Sequence, residues 1–135
     1  LTGWASPNYN DKNWDKVTMV SPPTAKLVTQ INENIAVKDS ILPKTIHQTK
    51  NRSYILDMGQ NMVGWLKIAV KGKKGDTLTL RFAETLKGKD SLYLANIRSA
   101  KVTDKYVFKG TGVEVWEPRF VFHGFRFAEV RRFYG

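Results

Sequence analysis

The chain has 135 residues, 41% of them hydrophobic, and a net charge of +10 from 22 Lys and Arg against 12 Asp and Glu. That length suits one domain burying roughly two-thirds of its unfolded surface, and the hydrophobic content excludes a disordered chain. The absence of cysteine excludes disulfides and thiolate chemistry, and no apolar run approaches the ~20 residues of a membrane-spanning helix, so no membrane partner is expected.

Residues 1–23 are polar and turn-rich, with Pro7, Pro22 and Pro23, and their large anchors are Trp4 and Trp14. They read as a linker or the tail of a preceding domain, with the boundary at Pro22-Pro23 and a second domain over 24–135. The chain opens at Leu1 without a methionine or a signal-like stretch, so it is expected to be a piece of a longer protein. Its compartment is unknown at this stage, periplasmic or extracellular if that protein is exported.

Short candidate strands follow. Lys26–Ile31 is the first, Ile35–Lys38 and Thr45–Gln48 are weaker, and Ser53–Asp57 is better. Leu66, Ile68 and Val70 then share one face, as do Leu78, Leu80 and Phe82, because successive side chains in a strand point to opposite faces. Between these two runs lies Lys71-Gly72-Lys73-Lys74-Gly75-Asp76, which predicts a hairpin. Residues 84–103 read as a loop with at most a short helical turn. Tyr106 and Phe108 begin another strand, Gly110-Thr111-Gly112 turns it, and Val113 and Val115 return.

The stretch Trp116 to Val130 alternates aromatic and polar residues. Phe120 and Phe122 are expected on one face, Phe125 and Phe127 on one face after Gly124, with a bulge at His123-Gly124. Many short strands without helices to cover a parallel sheet predict an all-β fold, an antiparallel β-sandwich of jelly-roll type.

The basic charge raises nucleic acid as a partner. The lysines, however, are spread along turns and strand faces, and the aromatics fall on alternating, core-facing positions, so no nucleic acid is expected. His47 and His123 have no His or Cys at ligand spacing, so no metal is expected. His123 satisfies backbone groups at a bulge or donates to a ligand. Asp57 to Trp65, with Gln60, Asn61, Gly59 and Gly64, builds a tight Asx turn or binds calcium or sugar hydroxyls. Trp65 and Trp116 pack against a second layer or stack on sugar rings. Glycoside hydrolysis needs two opposed carboxyl groups. Asp57, Glu84, Asp104, Glu117 and Glu129 are available, but Arg81, Arg98, Arg119 and Arg126 are at hand to pair with them, which is a structural reason for their presence.

Taken in order, several motifs form a set. They are Asp57-Met58-Gly59-Gln60-Asn61-Met62-Val63-Gly64-Trp65, Gly75 to Glu84, Asn96-Ile97-Arg98-Ser99-Ala100 with Thr103-Asp104-Lys105-Tyr106, and Trp116-Glu117-Pro118-Arg119-Phe120 with His123-Gly124-Phe125-Arg126-Phe127. From about Lys26 to Val130 this set resembles the concanavalin-like β-sandwich domain of bacterial α-L-rhamnosidases, the inverting glycoside hydrolases of family 78. Gly3-Trp4 with Tyr9 to Trp14 looks like the end of the β domain that precedes it in such enzymes. The resemblance implies that acid and base lie in an (α/α)6 barrel elsewhere in the polypeptide. It therefore implies no catalytic residue and no cofactor here, and the barrel and other domains of the same chain as partners. The calcium-dependent rhamnose-binding module of some relatives belongs to the preceding domain. The expected role is a noncatalytic support. The alternative is a carbohydrate-binding module for rhamnose-containing glycans, using Trp65, Trp116, Asp57, Asn61 and His123.

Overall fold

The computed structural model describes residues 3–133. The chain divides into two compact units, Leu1–Ala36 and Val37–Gly135. In the first unit, turns hold residues 3–14. Ser6 N–H donates to the Gly3 carbonyl at 2.9 Å, and Trp14 N–H donates to the Asp11 carbonyl at 2.8 Å. The Tyr9 and Trp14 rings meet at 5.5 Å. The strands expected at Lys26–Ile31 and Ile35–Lys38 do not form. A strand is stable only with a ladder partner, and none of the described residues pairs with them.

The second unit is built of β1 (Thr45–Gln48), β2 (Tyr54–Gly64), β3 (Ile68–Lys71), β4 (Thr77–Ala83), β5 (Thr103–Val107), β6 (Val113–Trp116) and β7 (His123–Phe133). A single 3-10 turn at Ala95–Ile97 is its one helical piece among the described residues. Strands β1-β2-β7-β4-β5 make one antiparallel sheet in that order, and β3-β6 make a second. The all-β antiparallel class is as expected from the alternation.

The hairpin expected between β3 and β4 is a corner instead. Strand β4 pairs β5 with Thr77 opposite Val107, and β3 pairs β6 with Lys71 opposite Val113. These pairings share one register, so residues 68–83 and 103–116 form one long ribbon that bends at 72–76 and 108–112. Gly75 N–H donates to the Phe108 carbonyl at 3.0 Å, and Phe108 N–H donates to the Asp76 carbonyl at 2.9 Å, so pairing runs into the bend. Asp76 caps it by accepting from Lys73 N–H at 3.0 Å and from the Arg132 guanidinium. A Cβ at Gly72 would strike the Phe108 ring, so the inner side of the corner requires glycine. Glycine and charge mark a hairpin loop and a sheet-switching corner alike, which is why the sequence pattern misleads here.

Bending the ribbon lays β3-β6 over one face of the large sheet. Met58, Leu66, Leu78, Leu80, Phe82, Phe108, Phe125 and Ala128 are buried between the layers, with Ile68, Val70 and Trp116 packed from the ribbon side. The opposite face of the sheet buries Ile55 and Ala83 under Leu92, with Leu86, Leu94 and Phe127 beside them.

The closing strand starts later than its aromatics suggest. Pro118 cannot donate to a ladder, and Phe120 is fully exposed with φ of 62°. Phe122 is also exposed, so these two rings face no core. No bulge lies at His123-Gly124, which pair regularly with Gly64 and Val63. The irregularity lies in β2 between Asp57 and Met62, opposite Phe127 and Phe125. There β7 changes phase: Phe125 joins Ala128 in the inter-layer core, while Phe127 joins the other cluster.

Candidate functional site

The excursion of β2 carries Asp57 and Asn61. Between Asp57 and Met62 the strand advances five residues while β7 advances two, so the extra residues loop outward. Asp57 anchors the loop. Its two oxygens accept from Arg126 Nε and Nη2 at 2.9 Å each, and Oδ1 also accepts from Gly59 N–H at 2.7 Å. The Arg126 hydrogen bonds hold the Asp57 carboxyl below its ordinary range; burial opposes this, and the Gly59 N–H and the charges of Arg126 and Lys44 assist it. Asp57 in turn raises Arg126. Gly59 has φ of 82°, and a Cβ there would meet the Lys44 side chain, so the turn needs glycine. Gln60 and Asn61 are exposed at its tip. The segment is thus an Asx-type turn locked by a bidentate ion pair.

Trp65 and Trp116 are both half-buried but have different neighbours. Trp65 Nε1–H donates to Glu117 Oε2 at 2.8 Å, and Lys67 Nζ lies 3.8 Å from Glu117 Oε1. This makes a small aromatic and charged cluster at the surface. Trp116 stacks on Tyr106 at 5.1 Å across the two layers. Trp65 directly follows Gly64, which pairs with His123, whereas the ring partner of Trp116 is Tyr106.

His123 is buried. Its Nε2 lies 3.1 Å from each Asp104 oxygen, and its ring stacks on Phe82 at 4.2 Å. It bridges β7 to β5 beneath the core aromatics. Glu129 accepts from Ser53 Oγ at 2.8 Å and lies 3.7 Å from Arg81, the arginine pairing expected for it. Ser53 also shares a 2.8 Å hydrogen bond with Thr49 Oγ1. Glu84 is exposed, one residue beyond the end of β4 at Ala83.

Sequence reasoning missed Glu114. Its carboxylate accepts from Tyr106 Oη at 2.6 Å and from the N–H groups of Lys109 at 3.0 Å, Gly110 at 2.8 Å and Thr111 at 3.2 Å. The Tyr106 hydroxyl and these amides hold its pKa down to about 2 against a residual effect of burial. Glu114 raises Tyr106 in return. A carboxylate two residues after Gly110-Thr111-Gly112 was the available signal, since glycine turns aim amides into one concavity. Asp57, Asp76, Glu114 and Glu129 therefore each hold a donor partner, and Asp104 faces His123. Among the described residues no group of three His, Asp or Glu side chains is arranged to hold a metal ion.

Comparisons with known proteins bear on this arrangement. Residues 47–134 match the family model described as the bacterial alpha-L-rhamnosidase concanavalin-like domain. An alpha-L-rhamnosidase of Streptomyces avermitilis is 40% identical over 134 residues, which is 98% of this chain but 13% of the relative. The crystal structure of the Streptomyces avermitilis alpha-L-rhamnosidase complexed with L-rhamnose superposes with a TM-score of 0.82 at 39% identity, over 96% of this chain and 13% of that one. The alpha-L-rhamnosidase from Dictyoglumus thermophilum also gives 0.82 at 35% identity, over 96% and 15%. The chain thus spans a small part of the relatives it matches.

Proposed function

Because this chain belongs to the bacterial alpha-L-rhamnosidase concanavalin-like domain family, we propose that it is the noncatalytic β-sandwich of a longer α-L-rhamnosidase and supports that enzyme's (α/α)6 barrel. The parent would hydrolyse terminal α-L-rhamnosides with inversion. On this reading residues 1–23 are the linker or the tail of a preceding β domain, and 24–135 the sandwich domain. The observation that carries the proposal is how the carboxylates are engaged. An inverting pair needs an acid and a base about 6.5–9.5 Å apart with water between them. Here Asp57 is forked by Arg126, Glu114 is ringed by amides and a tyrosine, and Glu129 is held by Ser53 and Arg81. These groups brace the fold. The 135-residue chain should release no aglycone from a chromogenic α-L-rhamnoside, while the full-length polypeptide does. Turnover by the short chain would reject the proposal.

The surface cluster of Trp65, Lys67 and Glu117 favours a second reading, a carbohydrate-binding module. An indole beside charged hydrogen-bonding groups is what a sugar ring with apolar C–H faces and hydroxyls takes. Asn61, exposed at the tip of the β2 excursion, would add an amide. Calorimetry with rhamnose and rhamno-oligosaccharides separates the readings: saturable heat that disappears in Trp65→Ala favours the module, and no heat at millimolar sugar rejects it.

A further inference from the structure

Residues Val17–Ile35 lie in the first unit and form no strand or helix. Eight of these nineteen residues are Val, Met, Ala, Leu or Ile, and none is glycine. Val17, Met19, Val20, Leu27, Val28 and Ile31 are each at least 79% exposed. That is the wrong chemistry for a spacer. Flexible linkers are polar or rich in glycine and serine, whereas each of these side chains gains by leaving water. Nor is the run featureless. Gln30 Nε2 donates to the Asn32 carbonyl at 2.8 Å and to Asn34 Oδ1 at 3.2 Å, closing a local turn.

A second observation points to what covers it. The family model begins at residue 47, yet the match to the Streptomyces avermitilis relative covers 98% of the chain, and the structural match covers 96%. Both therefore extend over most of this run. The relative is far longer than the chain, which spans 13% of it. The run is thus aligned in polypeptides that have far more surface to seat it than this chain has.

We propose that Val17–Ile35 is an apolar strap that docks on the apolar surface of the other domains of the parent polypeptide. The strap lies wholly within the first unit, Leu1–Ala36. It rests on the accessory-domain reading, and its test separates the two.

Hydrogen exchange is read on the 135-residue chain and on the full-length polypeptide. The strap amides should exchange at the unprotected rate in the short chain and slow by about tenfold or more in the long one. Leu27→Ser with Val28→Ser should lower the melting temperature of the full-length protein and leave that of the short chain unchanged. Equal exchange in both contexts overturns the strap, and so does protection already present in the short chain, which would mean it packs on itself or on a second copy. If the exposed Phe120–Phe122 loop gains protection in the long chain but the strap does not, the strap is wrong and the supporting role stands. If neither gains protection, both fall.

Discussion

The two layers of the sandwich are held by different means. The centre of the large sheet is apolar: Leu80, Phe82, Phe125 and Ala128 are fully buried, and β4 and β7 are paired on both sides. The folded-over ribbon has two strands of four residues each, and two strands alone are marginal in water. It is clamped by polar and aromatic contacts: Tyr106 on Glu114, and Trp116 on Tyr106. Trp116, one of the two tryptophans that suggest a sugar platform, is therefore also a fastener of the thinner layer. An aromatic residue in such a sheet has to be tested for stability and for binding separately.

The sharpest test of this contrast is a pair of truncations. Phe82→Ala removes a ring with no exposure and should destabilise by about 3–5 kcal/mol. Trp116→Ala, half-buried at the ribbon, should cost about 2 kcal/mol. Urea midpoints at constant slope measure both. Equal losses would mean that the ribbon is core and not a clamped cover.

His123 comes next. It is buried against Phe82 and faces Asp104, whose side chain is 9% exposed. His123→Leu keeps an apolar body and leaves Asp104 without its partner, so about 3 kcal/mol should be lost. Asp104→Asn in the same background should recover part of that loss. If His123→Leu melts like the parent, the pair is not structural, and His123 regains standing as a ligand group.

How much of this was legible follows from the same contrast. Alternation along β4 located the buried face of the large sheet, because period-two burial is a local property. Register is not local. Nothing in Lys71 to Asp76 says whether the chain returns beside itself or turns a corner, since that depends on Phe108 packing at Gly72 and on pairing with residues 108–112. The phase change of the last strand was legible as an event, but its position depends on the β2 excursion some 65 residues earlier. Of the site residues, Asp57 was readable as an Asx turn from Asp and Gly two apart. Arg126 was one of four candidate arginines, and only cross-strand pairing selects it.

The ribbon clamp also has a pH signature. Glu114 has a folded pKa of about 2, below the ordinary 4.5. Its contribution is therefore fully present above about pH 4.5 and is lost as pH falls toward 2. Tyr106 is raised, so its contribution holds below pH 10 and fades as pH climbs past that value. Glu114→Gln should lower the melting temperature at neutral pH and flatten the acid limb of the stability curve between pH 4.5 and 2. A variant with an unchanged acid limb would show that the cradle does not bind the ionised form preferentially.

The smallest expected effect decides most about function. Trp65→Phe keeps an aromatic ring at the ribbon's end and removes only the N–H that reaches Glu117, whose side chain is 43% exposed. A hydrogen bond to a solvated carboxylate is screened, so the stability change should be within about 0.5 kcal/mol. That near-silence makes the variant useful, because any binding change it produces cannot be blamed on unfolding. A supporting layer predicts that full-length rhamnoside turnover, kcat and KM alike, is unaltered. A sugar platform predicts a raised KM on polymeric substrate with kcat intact, since the lost indole edge and released Glu117 would weaken ground-state and transition-state binding equally. Steady-state kinetics on short and long rhamnosides, compared in this one variant, therefore tell a clamp from a contact surface.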